Sequence, residues 1–142
     1  MSDDPPTELI CLADDEGNSV RVDILGVEPT WSGGLKAEIV VATPFVSGRL
    51  NVWLGTRKLA RWAEALDRLD AGEDVHWMDM DRGASVQVQL SGERDCPEVV
   101  VEDESGSMAT VRVPVGLPDG WIDDHRRRLR QVRDHWVPKL LE

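Results

Sequence analysis

Residues 56–72 read TRKLARWAEALDRLDAG. Leu59, Trp62, Ala63, Leu66 and Leu69 recur at the spacing that gathers side chains on one stripe of a helix, while Arg61, Glu64, Asp67 and Arg68 fill the remainder. The pattern predicts a helix over 56–71 with one buried face. Thr56 is suited to cap its start by accepting a backbone N–H, and Gly72 stands where a helix end favours a residue able to take positive φ. About sixteen residues at 1.5 Å each make a rod of roughly 24 Å, enough to lie across four or five strands. A sheet for it to cover is therefore expected on one or both sides in sequence.

Upstream, 9–13 is a short apolar strand that runs into Asp14, Asp15, Glu16, Gly17 and Asn18, a group rich in turn formers. In 19–27, Val20, Val22 and Ile24 alternate with Arg21 and Asp23, the period of a strand with one buried face. After the loop EPTWSGG at 28–34, the same alternation predicts a strand over 35–42. Pro44 breaks it, a turn follows around Ser47 and Gly48, and 49–54 leads into the helix. Downstream, 71–83 reads as a loop or short irregular strand pinned by Trp77, and strands follow at 85–90, 97–103 and 108–115. Pro114 cannot donate to a ladder and predicts an edge or a strand end. A second helix over 121–136, with Asp119 as cap, Trp136 on its apolar face and Pro138 as terminator, closes the chain. The sum is an α+β fold in the order ββββ-α-βββ-α. It implies a curved antiparallel sheet of about seven strands packed by the central helix (56–71) and a C-terminal helix (121–136). Residues 1–7 are expected to be disordered, with 8–142 forming one domain.

The chain has 142 residues, a net charge of −11 and two cysteines without metal or redox spacing. The acidic excess lies in residues 1–110 and disfavours nucleic acid and anionic membranes as partners. The start, MSDDPPTE, is acidic where a targeting segment is basic and then apolar, and no run is long enough to cross a bilayer. Together with cysteine usage, this makes a cytoplasmic location the expectation.

Three acidic groups, Asp14 to Glu16, Asp79 with Asp81, and Glu102 to Glu104, lack the spacing of a known cation loop, so no metal is expected. No nucleophile elbow or phosphate loop is present, and neither catalytic residues nor cofactors are expected. The basic run HRRRLRQVR at 125–133 is read as pairing with the chain's own acids. Trp31 in its glycine loop and Trp53 on the polar side of its strand are candidate interface anchors.

Several phrases carry a resemblance: EGNSVRVDILG at 16–26, LKAEIVVATPFVSGRLNVWL at 35–54, AGEDVHWMDMDRG at 71–83, VVVEDESGSMATVRVPV at 99–115 and GWIDDHRRRLRQVRDHW at 120–136. Together they resemble an actinobacterial family of small proteins classed as a domain of unknown function, which brings no catalytic motif with it. The order of elements is also similar to WapI-type bacterial immunity proteins, and that likeness implies a partner to be neutralised. The reading that follows is a non-catalytic acidic domain that binds a cationic protein partner, through Asp14, Asp15, Glu16, Trp31, Trp53, Asp79 and Asp81. The alternative is a small-ligand binder with a pocket between sheet and helix.

Overall fold

The computed structural model describes residues 5–27, 34–78, 83–91, 96–104 and 106–140. Eight strands and two helices run β1 (Glu8–Ala13), β2 (Ser19–Val27), β3 (Leu35–Ala42), β4 (Ser47–Leu54), α1 (Thr56–Asp70), β5 (Val75–Trp77), β6 (Ala84–Gln89), β7 (Glu98–Asp103), β8 (Thr110–Pro114) and α2 (Trp121–Leu140). The α+β class and the order of elements follow the periodicities, with one strand added. That strand, β5, has three residues, too few for an alternation to register, yet Val75 and Trp77 are buried and His76 is exposed.

The expected single sheet is instead two. β1 to β4 form one antiparallel meander and β5 to β8 a second, each in sequence order, with α1 as the link between them. Alternation shows that a strand has a buried face, but it does not say which strand it hydrogen-bonds. The break falls where the fifteen-residue helix separates β4 from β5. Helix α1 packs on α2, β5 and β4, so it sits where the two meanders meet rather than across one sheet.

In the first sheet Val22 pairs with Ile39 and Ile39 with Leu50, which sets Ile10, Val22 and Ile39 in line on the inner face. In the second, Val86 pairs with Val101 and Val101 with Val111. Both inner faces join one hydrophobic core with Leu59, Trp62, Leu66 and Leu69 of α1 and Leu129, Val132 and Trp136 of α2. Trp62 stacks obliquely on Trp77 with ring centroids 5.2 Å apart, and Trp77 Nε1–H donates to the Lys58 carbonyl at 3.0 Å. One tryptophan therefore ties α1 to the short strand that follows it.

Element ends depart from expectation in small, explicable ways. The residue that caps α1 is Gly55, in extended conformation and without a side-chain bond; Thr56 is already helical. The apolar stripe includes Ala65, while Ala63 is only half-buried. Helix α2 runs on to Leu140 with Pro138 inside it, because a proline in the last turn forfeits one bond to the preceding turn while the residues after it still complete the helix. Strand β4 begins at Ser47, and the turn before it spans Thr43–Val46. Pro114 ends β8, the edge strand, as its missing N–H requires. Pro6 and Thr7, within the stretch expected to be disordered, are tied in: the Pro6 carbonyl accepts from Trp136 Nε1–H and the Thr7 carbonyl from the Ile24 N–H.

The C-terminal end of α1 matches its sequence signal. Gly72 has φ +85°, its N–H donates to the Leu69 carbonyl, and the Glu73 N–H donates to that of Arg68, the paired bonds of a Schellman motif. A Cβ at Gly72 would meet nothing within 4 Å among the described residues, so substitution costs conformation. Gly72→Ala is expected to lower stability by about 1–2 kcal/mol, read as a shift in denaturant midpoint. An unchanged midpoint would mean that the helix end relaxes out of the left-handed region.

Candidate functional site

Strands β1 and β2 are joined by a turn built on Asp14. Its Oδ1 accepts the N–H groups of Glu16 at 2.9 Å and Asn18 at 3.1 Å, and Gly17 takes φ +93° to complete the turn. Asp14 is thus consumed in shaping the turn, whereas Asp15 and Glu16 are exposed. Asn18 anchors the turn to the second sheet by donating from Nδ2 to the Pro114 carbonyl at 3.0 Å.

The β3–β4 turn lies beside it, since a four-stranded meander brings its first and third turns to the same end. The two turns are close: a Cβ added to Gly17 would lie 3.5 Å from the Pro44 ring. Thr43 Oγ1 accepts the N–H groups of Phe45 at 3.1 Å and Val46 at 2.8 Å, and the Thr43 N–H donates to the Val46 carbonyl at 2.8 Å. With Pro44 also fixing its φ, this turn holds Phe45 outward, 94% exposed. The chain's one phenylalanine therefore stands on a pinned turn at the same end of the sheet as the turn that carries the exposed Asp15 and Glu16. Sequence reasoning passed over it; the signal was TPFV, with Pro at the second turn position and Thr at the first.

Trp53 is 45% exposed on the outer face of β4, but at the opposite end. It stands six positions beyond Ser47, roughly 20 Å along the strand. It lines a cleft of about 290 Å³ with Leu50, Lys58, Gly83, Ala84 and Asp103, and its carbonyl accepts from Lys58 Nζ at 2.9 Å. Asp103 is held below the usual carboxylate range chiefly by the Ser107 backbone N–H and hydroxyl, and further by the Gly106 N–H, so it too is spent on a turn. A second, more open groove of about 520 Å³ is lined by Thr56, Leu59, Arg133, Asp134, Val137 and Pro138, between the two helices. The candidates thus separate: Asp14, Asp15 and Glu16 at one end with Phe45, Trp53 at the other. Trp31, Asp79 and Asp81 lie outside the described residues.

The basic run of α2 turns inward on the chain's own acids. Arg126 meets Asp67 at 3.0 Å and Asp70 at 3.2 Å on α1, Arg127 meets Asp124, and Arg128 meets Asp124 at 2.8 Å and Glu8 at 2.9 Å. Arg126 thus ties α2 to α1 and Arg128 ties it to β1, while Arg127 pairs within α2. His125, which the sequence offered only as one of three scattered histidines, is 1% exposed and accepts the Cys11 N–H at 3.0 Å. Cys11 itself is half-buried, and burial pushes its thiol up from the usual value. His76 Nε2 lies 3.0 Å from Ser85 Oγ, but that hydroxyl belongs to a residue only 3% exposed, out of reach of a substrate. Among the described residues no group of three His, Cys, Asp or Glu side chains is placed to hold a metal ion, and no helix is long and apolar enough to cross a membrane.

Residues 7–137 match a family of unknown function (DUF5959), and the chain belongs to that family. No curated protein matches the chain, and no solved structure does.

Proposed function

We propose that this family member is a non-catalytic, acidic, protein-binding domain whose partner is cationic, and that it docks through the paired turns at 14–18 and 43–46. The observation that carries the reading is Phe45, almost fully exposed on a turn held by Thr43, at the same end of the sheet as the turn that carries the exposed Asp15 and Glu16. An exposed aromatic costs little entropy to immobilise when its turn is already rigid, and it supplies the apolar anchor that a carboxylate pair lacks. The net charge of −11 would steer a basic partner toward the domain and speed encounter at low salt. Trp53, at the far end of β4, belongs to a separate surface in this reading. The immunity-type version, in which the partner is a toxin that the domain neutralises, rests on the looser likeness in element order, and the actinobacterial source on the phrases that suggested it. A cytoplasmic location is part of the same reading.

The test is capture of partners by the immobilised domain. It should retain a basic protein whose binding weakens as salt rises. Phe45→Ala should lower affinity by about 10-fold or more, mainly through faster dissociation. The double variant Asp15→Asn, Glu16→Gln should slow association and flatten the salt dependence. Both sets of residues are exposed, so the fold should be unchanged by circular dichroism. If no protein is retained, or if retention ignores both variants, the reading fails.

A further inference from the structure

Helix α2 closes the free edge of the first sheet through three contacts that run in step. His125 Nε2 accepts the Cys11 N–H at 3.0 Å, Arg128 Nη1 meets Glu8 Oε2 at 2.9 Å, and Trp136 Nε1–H donates to the Pro6 carbonyl at 2.8 Å. β1 is an edge strand, and its outward N–H groups would otherwise be a template for another strand. His125 covers one of them directly.

The ring is 1% exposed and both nitrogens are committed. Nδ1 sits 2.7 Å from the Trp121 carbonyl, which can only accept, so Nδ1 carries the proton. Nε2 faces a backbone N–H, so it carries none. The imidazole is neutral, and the hydrogen bond to β1 needs it neutral.

We propose that this seam is an acid-operated latch, in which protonation of His125 at Nε2 detaches α2 from β1 and uncovers the sheet edge. The step moves one proton from solvent onto Nε2. The lone pair that held the Cys11 N–H is lost, and two N–H groups then face each other where a donor and an acceptor stood. The charged and titratable neighbours are few. On α2, Arg128 disfavours a second positive charge and Asp124 favours it, although the Asp124 carboxylate is already shared by Arg127 and Arg128. On β1 are the Cys11 thiol and Glu8, the latter paired with Arg128, and Arg21 of β2 acts on the Cys11 thiol. The acids of α1 that face α2, Asp67 and Asp70, are held by Arg126.

Burial outweighs the rest and lowers the His125 pKa from its ordinary 6.5 while the seam is closed. Released, the ring returns toward that value. The open form therefore binds more protons, and closure is favoured with rising pH. The latch is fully closed above about pH 6.5 and weakens as pH falls from there toward the lowered value.

Amide exchange on the whole chain, followed by NMR from about pH 8 to about pH 5, tests this. After correction for the intrinsic exchange rate, protection at the Cys11 N–H should fall by about 10-fold or more relative to Ile39 in the central strand β3. Its midpoint should coincide with the titration of the His125 ring nitrogens. His125→Gln supplies an acceptor that does not titrate, and protection at Cys11 should then stay level with Ile39 across the range. The latch is refuted if Cys11 and Ile39 lose protection together, if the two midpoints differ, or if His125→Gln shows the same fall as the native chain. Should that variant fail to fold, the coincidence of midpoints in the native chain decides.

Discussion

Trp62→Ala should unfold this protein more readily than any other single change on α1, with a loss of about 3–5 kcal/mol. Trp62 is fully buried, packs its ring on Trp77 and lies at the centre of the stripe formed by Leu59, Ala65, Leu66 and Leu69. Truncation removes the largest fully buried side chain of the core and leaves a cavity that neighbours from α1 and β5 cannot fill by rotamer change alone. Trp62→Phe separates this packing role from any polar one. The Trp62 Nε1 is buried with no hydrogen-bond partner among the described residues, so phenylalanine forfeits no bond seen there and removes an unsatisfied donor. Its cost should therefore be well below that of alanine. Denaturant unfolding, with the slope compared between variants, measures both. A Trp62→Phe loss equal to that of Trp62→Ala would mean that the indole nitrogen is paired in solution and that this account of the core is wrong.

Leu66→Ala, one turn further along the same face, is expected to cost about 2–5 kcal/mol. Leu66 is 0% exposed and belongs to the cluster that unites both sheets and both helices. Glu64→Ala, on the exposed side of the same helix, is the control and should move the midpoint hardly at all. Because α1 stands where the two meanders meet, the Leu66 cavity should weaken both halves of the molecule together. Amide exchange in β3 and in β7 should accelerate by similar factors. If β3 kept its protection while β7 lost it, the two sheets would be separate cooperative units and the single core would be misdrawn.

The strands and helices were legible because each buries one face, and burial of one face writes a period of two or of about 3.6 into the chain. β2 and β3 match their expected limits, and α1 ends where Gly72 signalled. β5 was legible only as a loop or short irregular strand somewhere in 71–83, since a single alternation over VHW is too short to mark its limits. The candidate site was half legible. Asp15 and Glu16 were identified from composition and turn signals, but Phe45 was hidden inside a presumed strand break. Exposure of a lone aromatic depends on what packs over it; TPFV at 43–46 signals a turn, but not that the Phe45 ring is left uncovered. His125 shows the converse: a histidine in a basic run reads as surface, yet the strand laid against it excludes solvent from the ring.

By itself, then, the chain determined its α+β class, the positions of seven strands and both helices, the buried face of α1 and the acidic character of its surface. These follow from interactions between residues a few positions apart, which local spacing records. The tertiary structure alone decided that the strands divide into two sheets, that Trp53 and the acidic turn stand at opposite ends, that Phe45 joins that turn, and that His125 closes the edge of β1. Those outcomes depend on which distant segments pair, as Cys11 does with His125 across 114 positions, and no local period encodes that choice.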